Sequence, residues 1–201
     1  SKKESKLTSN LNRLTHFIAT SNVQIPLKET PSQTAGPYFH VGCLPNNVNI
    51  KGTFKRDLTT NKHFIDDRVV EIFGYIFQGN NEKVNDAMIE CWQADKWGNM
   101  AEGIWQRSST NLNTGKYKFQ TIIPGRVKEK APCLNLWIVA RGINLGLHTK
   151  MFFEDHENDA DPILGLVPSH RRSTLIAKKT KQGYRFDIHL QGENETIFFN
   201  E

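Results

Sequence analysis

The sequence predicts an antiparallel β-sandwich preceded by a short N-terminal helical extension. At 201 residues the chain is long enough for one well-buried core and short for two. From residue 69 onward, short β-prone runs alternate with turn residues, and no long helical period lies between them. We therefore divide the chain into an extension over residues 1–27 and a β-sandwich domain over residues 28–201.

The extension carries a helical pattern. Leu7, Leu11, Leu14 and Ile18 recur at helical spacing, which predicts an amphipathic helix over about residues 6–19. An isolated helix of this length is marginal in water, so its apolar stripe needs a neighbour. That neighbour is either the chain's own domain or a partner subunit, and the sequence leaves both open.

The β domain is predicted from its alternation of strand and turn signals. Turn dipeptides such as Pro124-Gly125 and Gln182-Gly183 separate most of the β-prone runs. In chain order the runs are 70–77, 88–92, 117–123, 134–140, 148–153, 175–177, 184–190 and 196–199.

Charge and motif content disfavour several functions. The net charge of +5 comes from 26 basic against 21 acidic residues, and the basic runs are interspersed with acids and lack an aromatic-basic motif. Nucleic-acid binding is therefore not expected, and anionic-polymer binding by the basic ends is the weakest alternative. The chain has no GxGxxG, GxxxxGK[ST], GxSxG or HExxH pattern, so nucleotide binding, serine hydrolysis and zincin chemistry lose their usual support.

Cysteine usage favours a reducing compartment. Cys43, Cys91 and Cys133 are odd in number and contain no CxxC pair, which argues against a disulfide framework and favours a cytoplasmic location. No apolar run reaches the roughly 18 residues that a membrane span needs, and the N-terminus has no apolar signal-peptide core. We expect no membrane association.

The segment 29–40, ETPSQTAGPYFH, is the most informative stretch of the chain. Pro31 and Pro37 fix φ and remove two backbone donors, so we expect an ordered loop, not a helix or strand. Gly36 permits close approach of a backbone or ligand, and Tyr38 and His40 would bring polar tips to the same place. From the residues alone, a structural turn with a buried aromatic is the simpler interpretation.

Three further features have structural interpretations. The acidic loop 155–161 resembles a calcium loop, but Ala160 and Leu166 replace the required Gly and Glu, so we expect a solvated acidic loop. Seven histidines are dispersed with no His-x-His pair, and nothing local announces a metal site. Tyr117, in a predicted strand, is expected to pack in the core.

The loop and four later blocks together resemble the intradiol ring-cleavage dioxygenase family, and within it the alpha-type subunits. The resemblance covers most of residues 27–200 and implies a β-sandwich of the intradiol type. The four blocks are MIECWQAD at 88–95, KYKFQTIIPG at 116–125, ARGINLGLHT at 140–149 and YRFDIHLQGENETIFF at 184–199.

The resemblance also indicates that this chain carries no iron. In the family, Fe(III) is held by two tyrosines and a His-x-His pair of the beta-type subunit, and the matching histidine positions here are Cys133 and Asn135. The tyrosine positions are lost as well, because residues 126–129 read RVKE and the interval 95–107 contains no tyrosine. A thiol and a neutral amide suit a hard ferric ion poorly. Iron is therefore expected in a beta partner.

The resemblance implies that this chain binds substrate instead of iron. Matched to the family's pocket, the contributing residues are Thr34, Gly36, Pro37, Tyr38 and Arg141. The implied ligand is protocatechuate or a related catechol, whose carboxylate an arginine can pair with in a planar fork. The implied reaction opens the ring between the two hydroxyl-bearing carbons with O2, within an alpha-beta hetero-oligomer. A strand-end salt bridge is the simpler role for Arg141.

A function of another class stays open. The same loss of ligands, together with the helical extension, fits a catalytically silent β-sandwich that serves as a binding or interaction module. Binding of a beta-type partner would separate the two hypotheses.

Overall fold

Strands dominate the computed structural model of the chain, which describes residues 30–31, 33–55, 58–59 and 68–200. The strands are β1 Val69–Phe77, β2 Met88–Gln93, β3 Ile104–Ser109, β4 Lys116–Ile122, β5 Cys133–Val139, β6 Leu147–Phe153, β7 Ile176–Lys179, β8 Tyr184–Arg185 and β9 Ile188–His189. The α-helices are α1 Phe39–Cys43 and α2 Pro162–Leu166, and 3-10 helices span Pro45–Val48, Gly79–Asn81 and Ser169–Leu175.

The predicted helix over 6–19 and the predicted domain boundary after residue 27 lie outside the described residues and stay predictions. Gln33 begins the compact unit that contains all the strands.

The strands follow the order β3-β2-β5-β6-β7-β8-β1-β4, with β9 paired to β1. The long pairs β1–β4, β2–β3, β2–β5 and β5–β6 are antiparallel, as predicted. Three short pairs, β1–β8, β1–β9 and β6–β7, are parallel. The inner faces of the two halves pack on each other, which confirms the β-sandwich. From the half β2-β5-β6 the core takes Ile89, Leu134, Leu136, Ile138, Met151 and Phe153; from the other half it takes Ile72, Ile76, Tyr117, Phe119, Tyr184 and Ile188.

The predicted run 184–190 divides into β8 and β9 at Phe186. Tyr117, confirmed as a core residue, donates a hydrogen bond of 2.5 Å from its hydroxyl to the carbonyl of Phe186. That carbonyl also lies against Gly74, where a Cβ would come within 1.8 Å of it. The absence of a side chain in the middle of β1 therefore permits the close approach.

Three sequence-based expectations differ from the structure. Strand β3 was not predicted, although Ile104–Ser109 pairs with β2 along its whole length. The predicted run 196–199 is not a strand; an isolated bridge between Phe199 and His148 and a hydrogen bond from the Thr149 hydroxyl to the Ile197 carbonyl join it to β6. The acidic loop is not simply solvated, because Asp161 is buried and accepts hydrogen bonds from the backbone N–H groups of Ala131, Ile163 and Leu164.

The cysteines match expectation, since all three are free thiols. Within the described ranges, no helix has the length and apolar character needed to cross a membrane.

Candidate functional site

The site lies on the outer face of the sheet β3-β2-β5-β6. Along β5, Leu134, Leu136 and Ile138 point into the core, so by the two-residue period of a strand Cys133 and Asn135 point outward. The two positions that match the family's histidine ligands therefore lie on one face. Strands β2, β3 and β6 present their alternate residues to the same side.

The N-terminal loop packs at one end of this face. Ala35 forms an isolated parallel bridge with Arg141, the second residue after β5. The chain then turns into α1, where the amide of Gly42 donates to the carbonyl of Tyr38 at 3.3 Å. Leu44, directly after α1, is buried with Met88 and Val139. The structure therefore brings the described part of the loop, residues 33–40, next to Arg141 through Ala35.

Arg141 makes the salt bridge named as its simpler role. Its Nε lies 3.4 Å from Oδ2 of Asp86, whose side chain is only 13% exposed. The Arg141 side chain is 66% exposed, so the bridge leaves much of the guanidinium accessible to a ligand. The ion pair and a ligand-binding role are compatible, because a guanidinium carries five N–H donors.

The two polar tips of the loop behave differently. Tyr38 is 78% exposed, and the space beside Gly36 is open. His40, in contrast, is buried. Burial lowers the pKa of His40, and the nearby negative charge of Asp86 and the backbone carbonyl of Pro37 oppose that shift only in part. The expectation that His40 presents a polar tip was wrong, because its ring faces inward.

The predicted ligand positions line a small cavity at the other end of the face. The cavity has a volume of about 220 Å³ and includes Cys133, Asn135, Lys130, Lys150 and Gly125. The ammonium of Lys150 donates to Oδ1 of Asn135, and Nδ2 of Asn135 donates to the backbone carbonyl of Trp92 at 3.2 Å. Burial raises the pKa of the Cys133 thiol, and the charge of Lys150 opposes this rise.

This cavity does not fit a ferric ion. Its two side-chain ammonium groups, Lys130 and Lys150, repel a cation, and the Cys133 thiol is kept protonated by burial. No group of three or more His, Cys, Asp or Glu side chains able to hold a metal occurs among the described residues. Lys150 was not singled out from the sequence, although its register opposite Asn135 follows from the hairpin of β5 and β6.

Between the loop and the cavity lies an open aromatic groove, defined by Trp92, Trp105 and Trp137 with Glu90, Leu136 and His148. Its volume is about 650 Å³, and Asn135 lines both the groove and the cavity. Trp92 is 48% exposed. Gly146 makes room for the Trp137 indole, because a Cβ there would lie 1.9 Å from its Nε1. The groove was missed from the sequence because β3, which carries Trp105, was not recognised.

An internal ion pair neutralises the charge in the groove. Nη2 of Arg107 lies 2.5 Å from Oε1 of Glu90 across the β2–β3 pair, and the guanidinium packs over the Trp105 ring. The other carboxylate oxygen of Glu90 accepts from the Trp105 indole at 3.3 Å. Arg107 also donates to the carbonyl of Cys43, which fastens α1 to the sheet. The surface offered by the groove is therefore mainly apolar.

Curated relatives match most of the chain. The chain is 37% identical over 198 residues to the protocatechuate 3,4-dioxygenase alpha chain of Pseudomonas putida, spanning 87% of this chain and 97% of the relative. It is 35% identical over 195 residues to the alpha chain of the same enzyme from Burkholderia cepacia, spanning 87% and 98%. The name of these relatives, alpha chain, implies at least one further kind of chain in those enzymes. No protein-family model matches the chain.

Solved structures show the same fold at lower identity. An intradiol ring-cleavage dioxygenase from Tetranychus urticae superposes with a TM-score of 0.53 at 15% identity, covering 81% of this chain and 93% of that one. Hydroxyquinol 1,2-dioxygenase from Pseudomonas putida DLL-E4 gives 0.53 at 18% identity, covering 86% and 70%.

Proposed function

The chain belongs to the family of protocatechuate 3,4-dioxygenase alpha chains, and on that premise we propose that it is the non-iron subunit of an intradiol dioxygenase. The observation that carries the proposal is the cavity at Cys133 and Asn135, the two positions that the resemblance matches to the family's histidine ligands, which Lys130 and Lys150 also line. A chain with this cavity contributes to catalysis through binding and not through its own iron. The Fe(III) belongs to a beta-type partner.

The proposed reaction follows the name of the relatives. Protocatechuate, 3,4-dihydroxybenzoate, and O2 would give 3-carboxy-cis,cis-muconate, with both oxygen atoms entering the product; the partner's Fe(III), when bound, would supply the O2 chemistry. The bond that breaks joins the two hydroxyl-bearing carbons. No residue of this chain touches those carbons in the proposal, so none is assigned as catalytic.

Arg141 is the proposed carboxylate-binding residue. It is fixed at its base by the bridge to Ala35 and by the ion pair with Asp86, yet most of its side chain remains exposed. A pre-oriented guanidinium loses less side-chain entropy when it binds a carboxylate. Pairing with the substrate carboxylate would set the direction in which the catechol oxygens point toward the partner's iron.

The N-terminal loop is the proposed lining of the same pocket. Thr34, Gly36, Pro37 and Tyr38 precede or begin α1 and lie on the segment that the Ala35–Arg141 bridge holds in place. Tyr38 has exposed area to place against a partner or substrate. Covering the substrate would exclude water and fix its position, and misplacement near a reacting centre slows a reaction considerably.

The aromatic groove supports association with the beta-type chain. Exposed tryptophan in an open apolar groove is typical of protein interfaces, in which Trp is enriched. Glu90 and Arg107 satisfy each other's charge, so the groove does not require a charged occupant. We therefore place the beta-type chain against Trp92 and the neighbouring indoles.

Reconstitution tests the proposal. The full chain, produced alone and together with a beta-type chain, is assayed for iron and for protocatechuate-dependent O2 consumption. We expect iron and turnover only when the second chain is present, with turnover falling when this chain is omitted. Stoichiometric iron in the isolated chain would overturn the proposal.

The alternative function is a catalytically silent interaction module. It is favoured by the replacement of the family's iron ligands in this chain and by the open aromatic groove. Sedimentation with and without the beta-type chain separates the two functions, since an interaction module of another kind would not form a stable complex with that chain.

A further inference from the structure

We propose that Lys150 acts as a built-in cation that keeps metal ions out of the cavity at Cys133 and Asn135. The inference rests on the proposed function in one respect: it takes these two residues to be the former histidine positions. It goes further in assigning the metal-free state of this chain to two separable causes, namely missing ligands and an added positive charge.

The first support is geometric. Asn135 and Lys150 are directly opposite each other in the antiparallel pair β5–β6, so their side chains leave the same face as neighbours. The ammonium donates to Oδ1 of Asn135, while Nδ2 of the same amide donates to the carbonyl of Trp92. The two hydrogen bonds fix the orientation of the amide and hold the ammonium beside it.

The second support is electrostatic. Lys150 and Lys130 both line the cavity together with Cys133, so two positively charged side chains border the space that a cation would enter. Asp161 could offset these charges, but its two oxygens accept hydrogen bonds from the backbone amides of Ala131, Ile163 and Leu164. The carboxylate is thus committed to the backbone and does not pair with Lys150.

The consequence concerns what would restore a metal site. Two histidines at alternate positions of one strand point to the same face and can chelate a divalent ion. A dication bound there would lie beside the Lys150 ammonium, and the repulsion would oppose binding. Restoring the ligands at 133 and 135 alone would therefore give a weak site, and removing the charge at 150 would strengthen it.

The experiment titrates Co²⁺ into the full chain and follows its visible absorption. The starting variant is C133H/N135H, compared with C133H/N135H/K150M, which removes the charge but keeps a similar volume, and with C133H/N135H/K150R, which keeps the charge. We expect the Met variant to bind Co²⁺ at least about tenfold more tightly than the Lys and Arg versions, because the metal dication and the positive side chain at position 150 repel each other at close range. Equal affinity in the three variants would overturn the role of Lys150.

A second series avoids disturbing the partly buried position 133. N135H, N135H/K150M and N135H/K150R retain Cys133, so a bound Co²⁺ displaces the thiol proton and brings a net charge of only +1 to the cavity. Binding to the histidine pair brings +2. Lys150→Met should therefore raise the Co²⁺ affinity in this series as well, but by a smaller factor than in the histidine-pair series. A gain that is absent, or that also appears with Lys150→Arg, would contradict the proposal.

The outcome is distinguishable from a failure of the proposed function. Co²⁺ affinity of the isolated variants reports on Lys150, whereas iron content and turnover of the two-chain complex report on the function. K150M alone should bind no Co²⁺, since Cys133 and Asn135 remain in place. Tight binding by that single variant would show that the native residues form a usable site and would contradict the separation into two causes.

Discussion

Ala35 and Arg141 form an isolated parallel β-bridge, which ties the N-terminal loop to the chain just beyond β5. Two segments more than a hundred residues apart thereby become neighbours. One carries Tyr38, which is largely exposed, and the other carries the guanidinium that pairs with Asp86. The bridge supports the proposal that both segments line one substrate pocket.

Replacing Arg141 with Ala should weaken turnover of protocatechuate by the two-chain enzyme. Loss of a hydrogen bond to a charged group corresponds to about 1.5 to 3 kcal/mol, or roughly a 10- to 150-fold fall in kcat/KM. Plain catechol, which has no carboxylate, should be affected less. The control is D86N, which removes the ion pair but keeps the guanidinium; equal losses for both substrates, or an equal loss in D86N, would indicate a structural role.

Replacing Trp92 with Ala should weaken association with the beta-type chain. A half-exposed indole in the groove is expected to supply part of the apolar contact, and truncation of such a residue raises Kd about tenfold or more. Leu166→Ala is the matched control, because Leu166 is 82% exposed on α2 and does not line the groove. Analytical ultracentrifugation measures both. Self-association of the isolated chain that W92A abolishes would instead assign the groove to a second copy.

Replacing Tyr117 with Phe should lower stability without altering the proposed site. The hydroxyl is buried and donates to the Phe186 carbonyl, so its removal leaves that acceptor without its donor and costs about 1 to 3 kcal/mol. Urea unfolding measures the change. Tyr75→Phe is the control, since Tyr75 is only half-buried and its ring contact with Lys83 would be retained, and we expect a change within about 0.5 kcal/mol.

Asp155 should make stability depend on pH in the acid range. Burial by itself would raise its pKa, but hydrogen bonds from Lys179, Tyr184 and His156 hold the pKa well below its usual value. A depressed folded-state pKa stabilises the fold above the unfolded value of about 3.9, and this contribution is lost as the pH falls below it. D155N should therefore be less stable than the native chain at pH 7, with the difference shrinking toward pH 2. A constant difference would contradict this assignment.

Tyr184, in the same cluster as Asp155, should make stability depend on pH in the alkaline range as well. Burial and the Asp155 carboxylate raise its pKa to about 12. The neutral phenol is thus favoured by the fold, so its contribution is complete below about pH 10 and is lost as the pH rises toward 12. Y184F should lack this alkaline loss, which thermal melts at pH 9 to 12 would reveal.

The strands were predictable where a β-prone apolar run is long enough. Strand β5 reads CLNLWIV, in which only Asn135 is polar, so the run indicates a strand from sequence alone. Strand β3 escaped because its inward residues include Gln106 and Ser108, which are buried and polar. Gln106 is accommodated by donating to the carbonyls of Thr59 and Gln120, a tertiary arrangement that no local pattern indicates.

The site was predictable from motifs only in part. The loop and Arg141 were named through the family resemblance, and their proximity is a property of the fold. His40 was misjudged because the turn into α1 points its ring inward. The Asn135–Lys150 contact depends on the register of two strands, which the sequence does not give directly.

Iron content of the full chain tests the central claim most directly. The chain is purified alone and in complex with a beta-type chain, and iron is measured per polypeptide together with protocatechuate turnover. The account predicts a colourless chain with no stoichiometric iron when alone, and one iron per pair of chains with turnover in the complex. Stoichiometric iron in the isolated chain, or full turnover by the beta-type chain without it, would contradict the account.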